Sequence, residues 1–581
     1  MTVDDERARA GSATELAHEG RLLTKVGTVP VLVLWHEGRA RAIEDRCPHL
    51  GFPLHQGTVE AGLLTCHWHH ARFDVASGCT LDPWADDATA FAVEVDGDDV
   101  WVARRPSPDP IGQLRQRLAD GLEHGLTLVI AKATLGLLEA DPTGETVVAT
   151  ALEHGVRYRA EGWGSGLTVL VAMANVLPHL DPADRPLALV HALTFVSRDT
   201  RGRAPRFAEP ALATTELTPE RLAEWYRRFV ETRSGDAAER VLATAVATTT
   251  AADADAMMLA AVTDHVFIDE GHTLDFTNKA FEALALIGAD APPGLLTSLV
   301  AQTCAADRSE ESSEWRHPRD LAALVADANG RLELALEKGW AVTTASVDVG
   351  ALAWSLLDED PDAVVGAVLD AVAAGAAPEQ LGRALALAAA LRIVRFHTQN
   401  DFGDWNSVHH AFTAANALHQ SLVRCPSPEL LRGAIHGALR IYLDRFLNVP
   451  AARLPSVSEP VTLPVSLGDL AACWDVQGEV DRAGAIAYGF VRGGGSRAEL
   501  IAALGRALLA EDAGFHWYQV YEAGVRQAQA WPEGSEESAL ILAAVARFLA
   551  AHTPTRRELP TVVRTAARLR RGDPVHEAAD A

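Results

Sequence analysis

Two hydrophobic rhythms divide the chain. Up to about residue 105, apolar residues come in short runs and alternations bounded by Gly and Pro. Pro30-Val31-Leu32-Val33-Leu34-Trp35, the turn His36-Glu37-Gly38-Arg39 and Ala40-Arg41-Ala42-Ile43 predict a β-hairpin. Phe91-Ala92-Val93-Glu94-Val95, an Asp96-Gly97 turn and Asp99-Val100-Trp101-Val102 predict a second. Then Pro106, Pro108 and Pro110 crowd into five residues, which neither a strand nor a helix interior tolerates. From Ile111 the pattern is helical almost to the end. The predicted architecture is a small all-β domain (1–105), a Pro-rich linker (106–110) and a large all-α region (111–581), with a further division near 454–464. Within the helical region a helix, a histidine near its end, a Gly-containing turn and a second helix recur around His154, His265 and His397.

Composition narrows the function. The 581 residues are 48% apolar, enough for two to four domains with substantial cores. The formal charge of −27 is spread along the chain. It argues against nucleic acid or an anionic membrane surface as a partner. No apolar run reaches the length that spans a bilayer, and the first residues lack a basic stretch followed by an apolar core. A cytoplasmic protein is the expectation. Of six Cys, the scattered Cys79, Cys304, Cys425 and Cys473 are expected to be buried thiols rather than disulfides.

The chemistry sits between the two hairpins. Cys47-Pro48-His49 and Cys66-His67-Trp68-His69 each offer one thiolate and one imidazole, at the tips of loops punctuated by Gly and Pro. Two cysteines and two histidines are the ligand set of a Rieske [2Fe–2S] centre, in which His replaces Cys on one iron. Structural zinc is the competing reading, but zinc fingers pair like with like, C-x₂₋₄-C and H-x₃₋₅-H, whereas here each half mixes the two.

Residues 12–105 resemble a Rieske domain of the ferredoxin and oxygenase type, on the string Cys66-His67-Trp68-His69-His70-Ala71-Arg72-Phe73-Asp74 followed by Ser77-Gly78. The resemblance implies that Cys47 and Cys66 bind one iron, and His49 and His69 the other. It also implies that Leu81-Asp82-Pro83-Trp84 is the proline loop that covers the cluster. Phe52 and Trp68 stand where the respiratory branch has its bracing disulfide, and His70-Ala71 where it has a hydroxyl. His70 replaces the usual small residue. His67 and His55 read as ordinary loop histidines.

The electron acceptor is less legible. The helical region does not look like the α+β domain of ring-hydroxylating oxygenases. It has some similarity to helical oxidases of the questin-oxidase type, without a motif that matches residue by residue. His409, Thr413, Asn416 and Gln420 form a narrow polar stripe on an otherwise apolar helix. Such a stripe either lines an internal polar cavity or is the helix's only wet face. His265, His272, His397 and His409, with Asp269 or Asp404, are the candidates for a second, non-haem iron. Asp512 and His516 are spaced i, i+4, and His191 reads as a core histidine. Ferritin-like bundles need an E-x-x-H pair on each of two helices; the string Glu15-Leu16-Ala17-His18 reads as surface. No G-x-G-x-x-G unit or Walker loop suggests a built-in reductase.

The expected function is that of an iron–sulfur oxidoreductase. Its cluster receives single electrons from a ferredoxin or flavoprotein reductase and passes them to a site in, or docked on, the helical region, where a small-molecule substrate would react. The alternative is a ferredoxin-like carrier or redox sensor whose helical part docks another protein. Without the brace and its hydrogen bonds, the midpoint potential is expected near the low end of the range of about −150 to +300 mV known for such centres. A redox titration that returns a value well above zero contradicts this.

Overall fold

The structure is a computed structural model. It describes residues 7–104, 109–159, 161–213, 216–342, 347–455 and 466–573. Most of the expected linker and nearly all of the expected division at 454–464 lie outside these residues. The described residues form two compact units, one of 7–150 with 561–573 and one of 151–560.

The first unit is built on a six-stranded antiparallel sheet. In chain order its strands are β1 (Arg7–Ser12), β2 (Arg21–Val26), β3 (Val29–His36), β4 (Arg39–Glu44), β8 (Ala90–Asp96) and β9 (Asp99–Arg104). They are arranged β1-β9-β8-β4-β3-β2, and β5 (Thr58–Glu60), β6 (Leu63–Thr65) and β7 (Arg72–Asp74) form a separate small sheet. Both predicted hairpins form. The β3–β4 pairing places Glu37 and Gly38 at the turn, with positive φ of 51° and 72°, the twist that a two-residue hairpin needs. The second turn centres on Gly97-Asp98, since Asp96 pairs with Asp99.

β3 shows how alternation builds two cores. Leu32 and Leu34 pack with Cys47, Leu54, Cys66 and Phe73. Val31 and Val33 pack on the other face with Leu16, Phe91, Val100 and Val102. The unit is not purely β, because Ala13–Glu19 is a short helix in a stretch expected to be strand. Ser12 caps it by accepting from the Glu15 backbone N–H at 3.3 Å, and Gly20 ends it at a φ of 77°. Leu16 is buried, while Glu15 and His18 are exposed as expected.

Three helices of the helical region lie wholly or almost wholly in this unit, the last of them Leu559–Arg571. Pro110–His124 starts with Asp109 as N-cap and Pro110 in its first turn. Thr127–Ala140 is apolar and buried over most of its length. The second unit is helical throughout, and no strand occurs among the described residues after Arg104. Its central helices, such as Pro378–Val394 and Glu536–His552, are buried on nearly all sides, as core helices of a large bundle must be. The three histidine-and-glycine repeats each separate two helices, for example Ala251–Val262 from His272–Ile287. No described helix is long and apolar enough to cross a membrane.

All six cysteines are free thiols; Cys304 and Cys473 are buried, Cys425 is half-buried, and Cys79 is exposed, contrary to expectation. Gly78, at the turn after β7, has a φ of 78°, and a Cβ there would lie 2.0 Å from the Ala88 carbonyl oxygen. Gly78→Ala is therefore expected to cost on the order of 3 kcal/mol. A denaturation midpoint equal to that of the parent protein contradicts this geometry.

Candidate metal centres

Two loops of the first unit present the expected ligands in the same local geometry. After β4, Gly51 donates its N–H to the Cys47 carbonyl at 2.7 Å and Cys47 donates to the Phe52 carbonyl at 2.7 Å. After β6, His70 donates to the Cys66 carbonyl at 3.0 Å and Cys66 donates to the Ala71 carbonyl at 2.9 Å. Both turns need a left-handed residue, supplied by Gly51 at 83° and His70 at 65°. That backbone requirement is met at the second loop without glycine, and it places the His70 side chain in solvent.

Each turn aims backbone N–H groups at its own sulfur: His49 and Leu50 at Cys47, and Trp68 and His69 at Cys66. Such nests stabilise anionic sulfur. The two thiols are buried and hydrogen-bonded to each other. That bond, with burial, holds the Cys47 thiol far above its ordinary value. The same bond, against burial and with the backbone donors, draws Cys66 below its ordinary value. The His49 and His69 rings lie 4.9 Å apart. Burial first, then His69 and Lys132, push the His49 imidazole down to about 4, so it is neutral. His49 Nδ1 is buried without any hydrogen-bond partner, an electron pair with nothing to receive it.

Around this centre, Trp84 of the proline loop packs edge-on against His49 at 4.8 Å. Phe52 and Trp68, at the positions of the missing brace, meet as rings 5.9 Å apart. His67 is exposed as expected. His55 is more than loop surface: its Nδ1 lies 2.6 Å from the buried Asp45, which also accepts its backbone N–H.

A protein-family model described as a Rieske [2Fe-2S] domain matches residues 7–94. The ferredoxin component of biphenyl 2,3-dioxygenase from Rhodococcus jostii is 33% identical over 92 residues, covering 16% of this chain and 86% of that protein. The chain belongs to the Rieske [2Fe-2S] family. The ferredoxin component of the alkene monooxygenase system of Xanthobacter autotrophicus is 34% identical over 84 residues, 14% of this chain and 69% of that one. Human apoptosis-inducing factor 3 is 33% identical over 79 residues, 13% of this chain and 13% of that one. The chain thus spans about an eighth of the length of some curated relatives it matches. A Rieske domain implies a [2Fe–2S] cluster. The orphaned His49 Nδ1, the neutral imidazole and the two N–H nests fit that group.

In the second unit the expected histidines part company. His265 is bound at Nδ1 by Glu310 at 2.7 Å. His397 accepts from the Gln399 N–H at 3.2 Å, at a half-buried chain turn. Neither joins a cluster. His272 and His409 do come together, with His410 and His516. Ligand atoms of His272, His410 and His516 lie within 4.8 Å of one another. The carboxylate beside them is Glu270, rather than Asp269 or Asp404. Asp404 instead accepts from the Asp401 N–H at 3.1 Å, and Asp512 binds the backbone of Glu558 and Leu559 instead of His516.

The hydrogen bonds fix what the ring nitrogens offer. Glu270 lies 2.8 Å from His410 Nδ1, and the Gln519 side-chain oxygen 2.9 Å from His516 Nδ1. Both Nδ1 atoms are thus taken up by side-chain partners, which turns the two Nε2 atoms toward each other. These face each other at 3.3 Å. Metal–nitrogen bonds of about 2.0–2.1 Å place neighbouring nitrogens about 3 Å apart. Burial pushes His272 to about 4 and His516 to about 3, with His410 adding to both, so these rings are neutral donors. The bond to His410 holds Glu270 down at about 2, against partial burial. His409 lies beside the group, 4.1 Å from the His516 ring, with both nitrogens buried and unpartnered.

The chain strains itself to make this arrangement. Phe267, Asp269 and Glu270 have positive φ of 43°, 49° and 52°, and Gly271 follows at 94°. Left-handed non-glycine residues cost about 1–3 kcal/mol each. This run brings Glu270 to His410. Behind the site, Gln519 donates to the buried Asp275, whose carboxyl burial raises to about 7 despite Lys279. The polar stripe is internal: His409, Thr413 and Asn416 are buried, Asn416 donates to Glu522 at 3.2 Å, and Gln420 accepts from Arg526 at 2.6 Å.

His69→Ala is expected to abolish the visible and electron paramagnetic resonance spectra of the cluster, and a retained spectrum refutes that ligand. Cys79→Ser, at an exposed thiol, is expected to leave both spectra unchanged.

Proposed function

We propose that the chain is an iron–sulfur oxidoreductase whose Rieske domain delivers single electrons to a non-haem iron held by His272, His410 and His516. In this reading Cys47 and Cys66 hold one iron of the cluster, and His49 and His69 the other. The bound cluster supplies one-electron transfer. The chain's residues cradle the sulfurs through the N–H groups of His49, Leu50, Trp68 and His69. His69 and Trp68 are exposed and offer the edge at which a ferredoxin or flavoprotein reductase would exchange electrons.

The observation that carries the acceptor is the pair of facing His410 and His516 Nε2 atoms, each oriented from behind by Glu270 or Gln519. Metal-binding histidines are held by such partners, which set the tautomer and raise the basicity of the ligating nitrogen. An all-nitrogen, carboxylate-backed set in which His272 and His516 are neutral suits a redox-active first-row metal. The matched ferredoxin components serve a dioxygenase and an alkene monooxygenase system by their names, which supports delivery to an oxidising site. A small-molecule substrate is the corresponding expectation. Joining donor and acceptor in one chain keeps their effective concentration high.

The test is an anaerobic count on iron-reconstituted protein. Three irons and two sulfides per chain are expected, falling to two and two in the His272→Ala/His410→Ala variant with the Rieske spectrum retained. Two irons in the parent protein sink the second site.

A further inference from the structure

We propose that Lys132 and Asp86 form a charge pair that sets the reduction potential of the cluster, Lys132 raising it and Asp86 lowering it. The inference rests on the Rieske reading above and goes beyond it, because Lys132 lies on a helix outside the matched residues 7–94.

Lys132 is anomalous where it stands. Its helix, Thr127–Ala140, buries Val129, Ile130, Ala131, Ala133 and Leu137 around it, and Lys132 itself is 8% exposed. A buried ammonium is costly unless paired and hydrogen-bonded. Here Nζ donates to the Pro48 carbonyl oxygen at 2.9 Å, between the two ligands of the first loop. It is also ion-paired with Asp86. Asp86 follows Trp84, the ring packed on His49. From the preceding helix, Arg117 donates to Asp86 Oδ1 at 3.0 Å and to the carbonyls of Pro83 at 3.2 Å and Ala85 at 2.9 Å. Both loops flanking His49 are thus tied to helices that a stand-alone ferredoxin-type domain would not need.

The sign follows from electrostatics. One-electron reduction adds a negative charge at the centre, and charges near an iron–sulfur cluster move its potential. Partly buried charges are screened much less than exposed ones. Both charges reach the His49 ring, and the ammonium acts on it more strongly than the carboxylate does. Removing the ammonium leaves Asp86 facing the centre, paired with Arg117. Removing the carboxylate leaves two cations. A clasp that merely held the loops would respond to both substitutions in the same direction.

The experiment is a redox titration of the cluster-loaded full chain, followed by circular dichroism, for the parent protein, Lys132→Met, Lys132→Arg and Asp86→Asn. Lys132→Met is expected to disfavour reduction by about tenfold, a fall of about 59 mV for one electron. Asp86→Asn is expected to shift the potential upward, and Lys132→Arg to stay within about twofold of the parent. Shifts of the same sign in Lys132→Met and Asp86→Asn overturn the proposal, as does a Lys132→Met shift no larger than that of Lys132→Arg. If Lys132→Met fails to assemble its cluster, Asp86→Asn decides, and an unchanged or lowered potential there overturns it. A parent protein without a Rieske spectrum overturns the underlying reading itself.

Discussion

Two imidazole nitrogens, Nε2 of His410 and Nε2 of His516, face each other at 3.3 Å in the second unit, close enough to share one proton or one metal ion. Three features hold them there: Glu270 on His410, Gln519 on His516, and the left-handed run that delivers Glu270. A fold bears such strain only where its surroundings over-determine it. The Rieske loops set the same physical problem in another form. There two buried sulfurs are hydrogen-bonded to each other, and backbone N–H groups of the two turns are what favour their anionic form. In both places the chain gathers electron-pair donors and leaves the positive charge to come from elsewhere.

The ground behind the histidine group is unusually polar for a helical core. Lys279 is fully buried between Glu282 at 2.8 Å and Glu522 at 3.1 Å. Asn175 donates to both carboxylates and Arg526 to Glu282. Burial alone would depress the Lys279 ammonium, but the surrounding carboxylates hold it above its ordinary value. Taking one partner from such a set leaves an uncompensated buried charge, at a cost of about 3–5 kcal/mol. The network therefore fixes the register of the His272–Ile287, Trp405–Arg424 and Phe515–Gln529 helices. Those three helices carry the three histidines.

What could be read from the sequence follows from how local each feature is. The proposed cluster ligands stand in two tight turns, each with Cys and His two or three residues apart, so the pattern is visible without knowledge of packing. The β3–β4 hairpin and the change to helix after the prolines are equally local. The helical site is not. Its histidines come from helices more than a hundred residues apart, and tertiary packing alone decides which of them meet. His265 and His397 have the same helix-end placement as His272, yet Glu310 and the Gln399 turn claim them. The narrow stripe pointed to His409, while its neighbour His410 turned out to face His516. Glu270 was hidden in a turn that Gly271 marks only as a helix break. The Ala13–Glu19 helix escaped because a single Ser cap and one buried Leu are too short a signal against a β background.

The central claim is that one chain carries a Rieske cluster and a separate mononuclear iron. Mössbauer spectroscopy of the ⁵⁷Fe-loaded, dithionite-reduced protein tests it most directly. The account predicts the ferric and ferrous signals of the reduced cluster together with a further high-spin ferrous doublet, half the combined cluster area, that disappears in the His410→Ala/His516→Ala variant. A spectrum with cluster signals alone would contradict it.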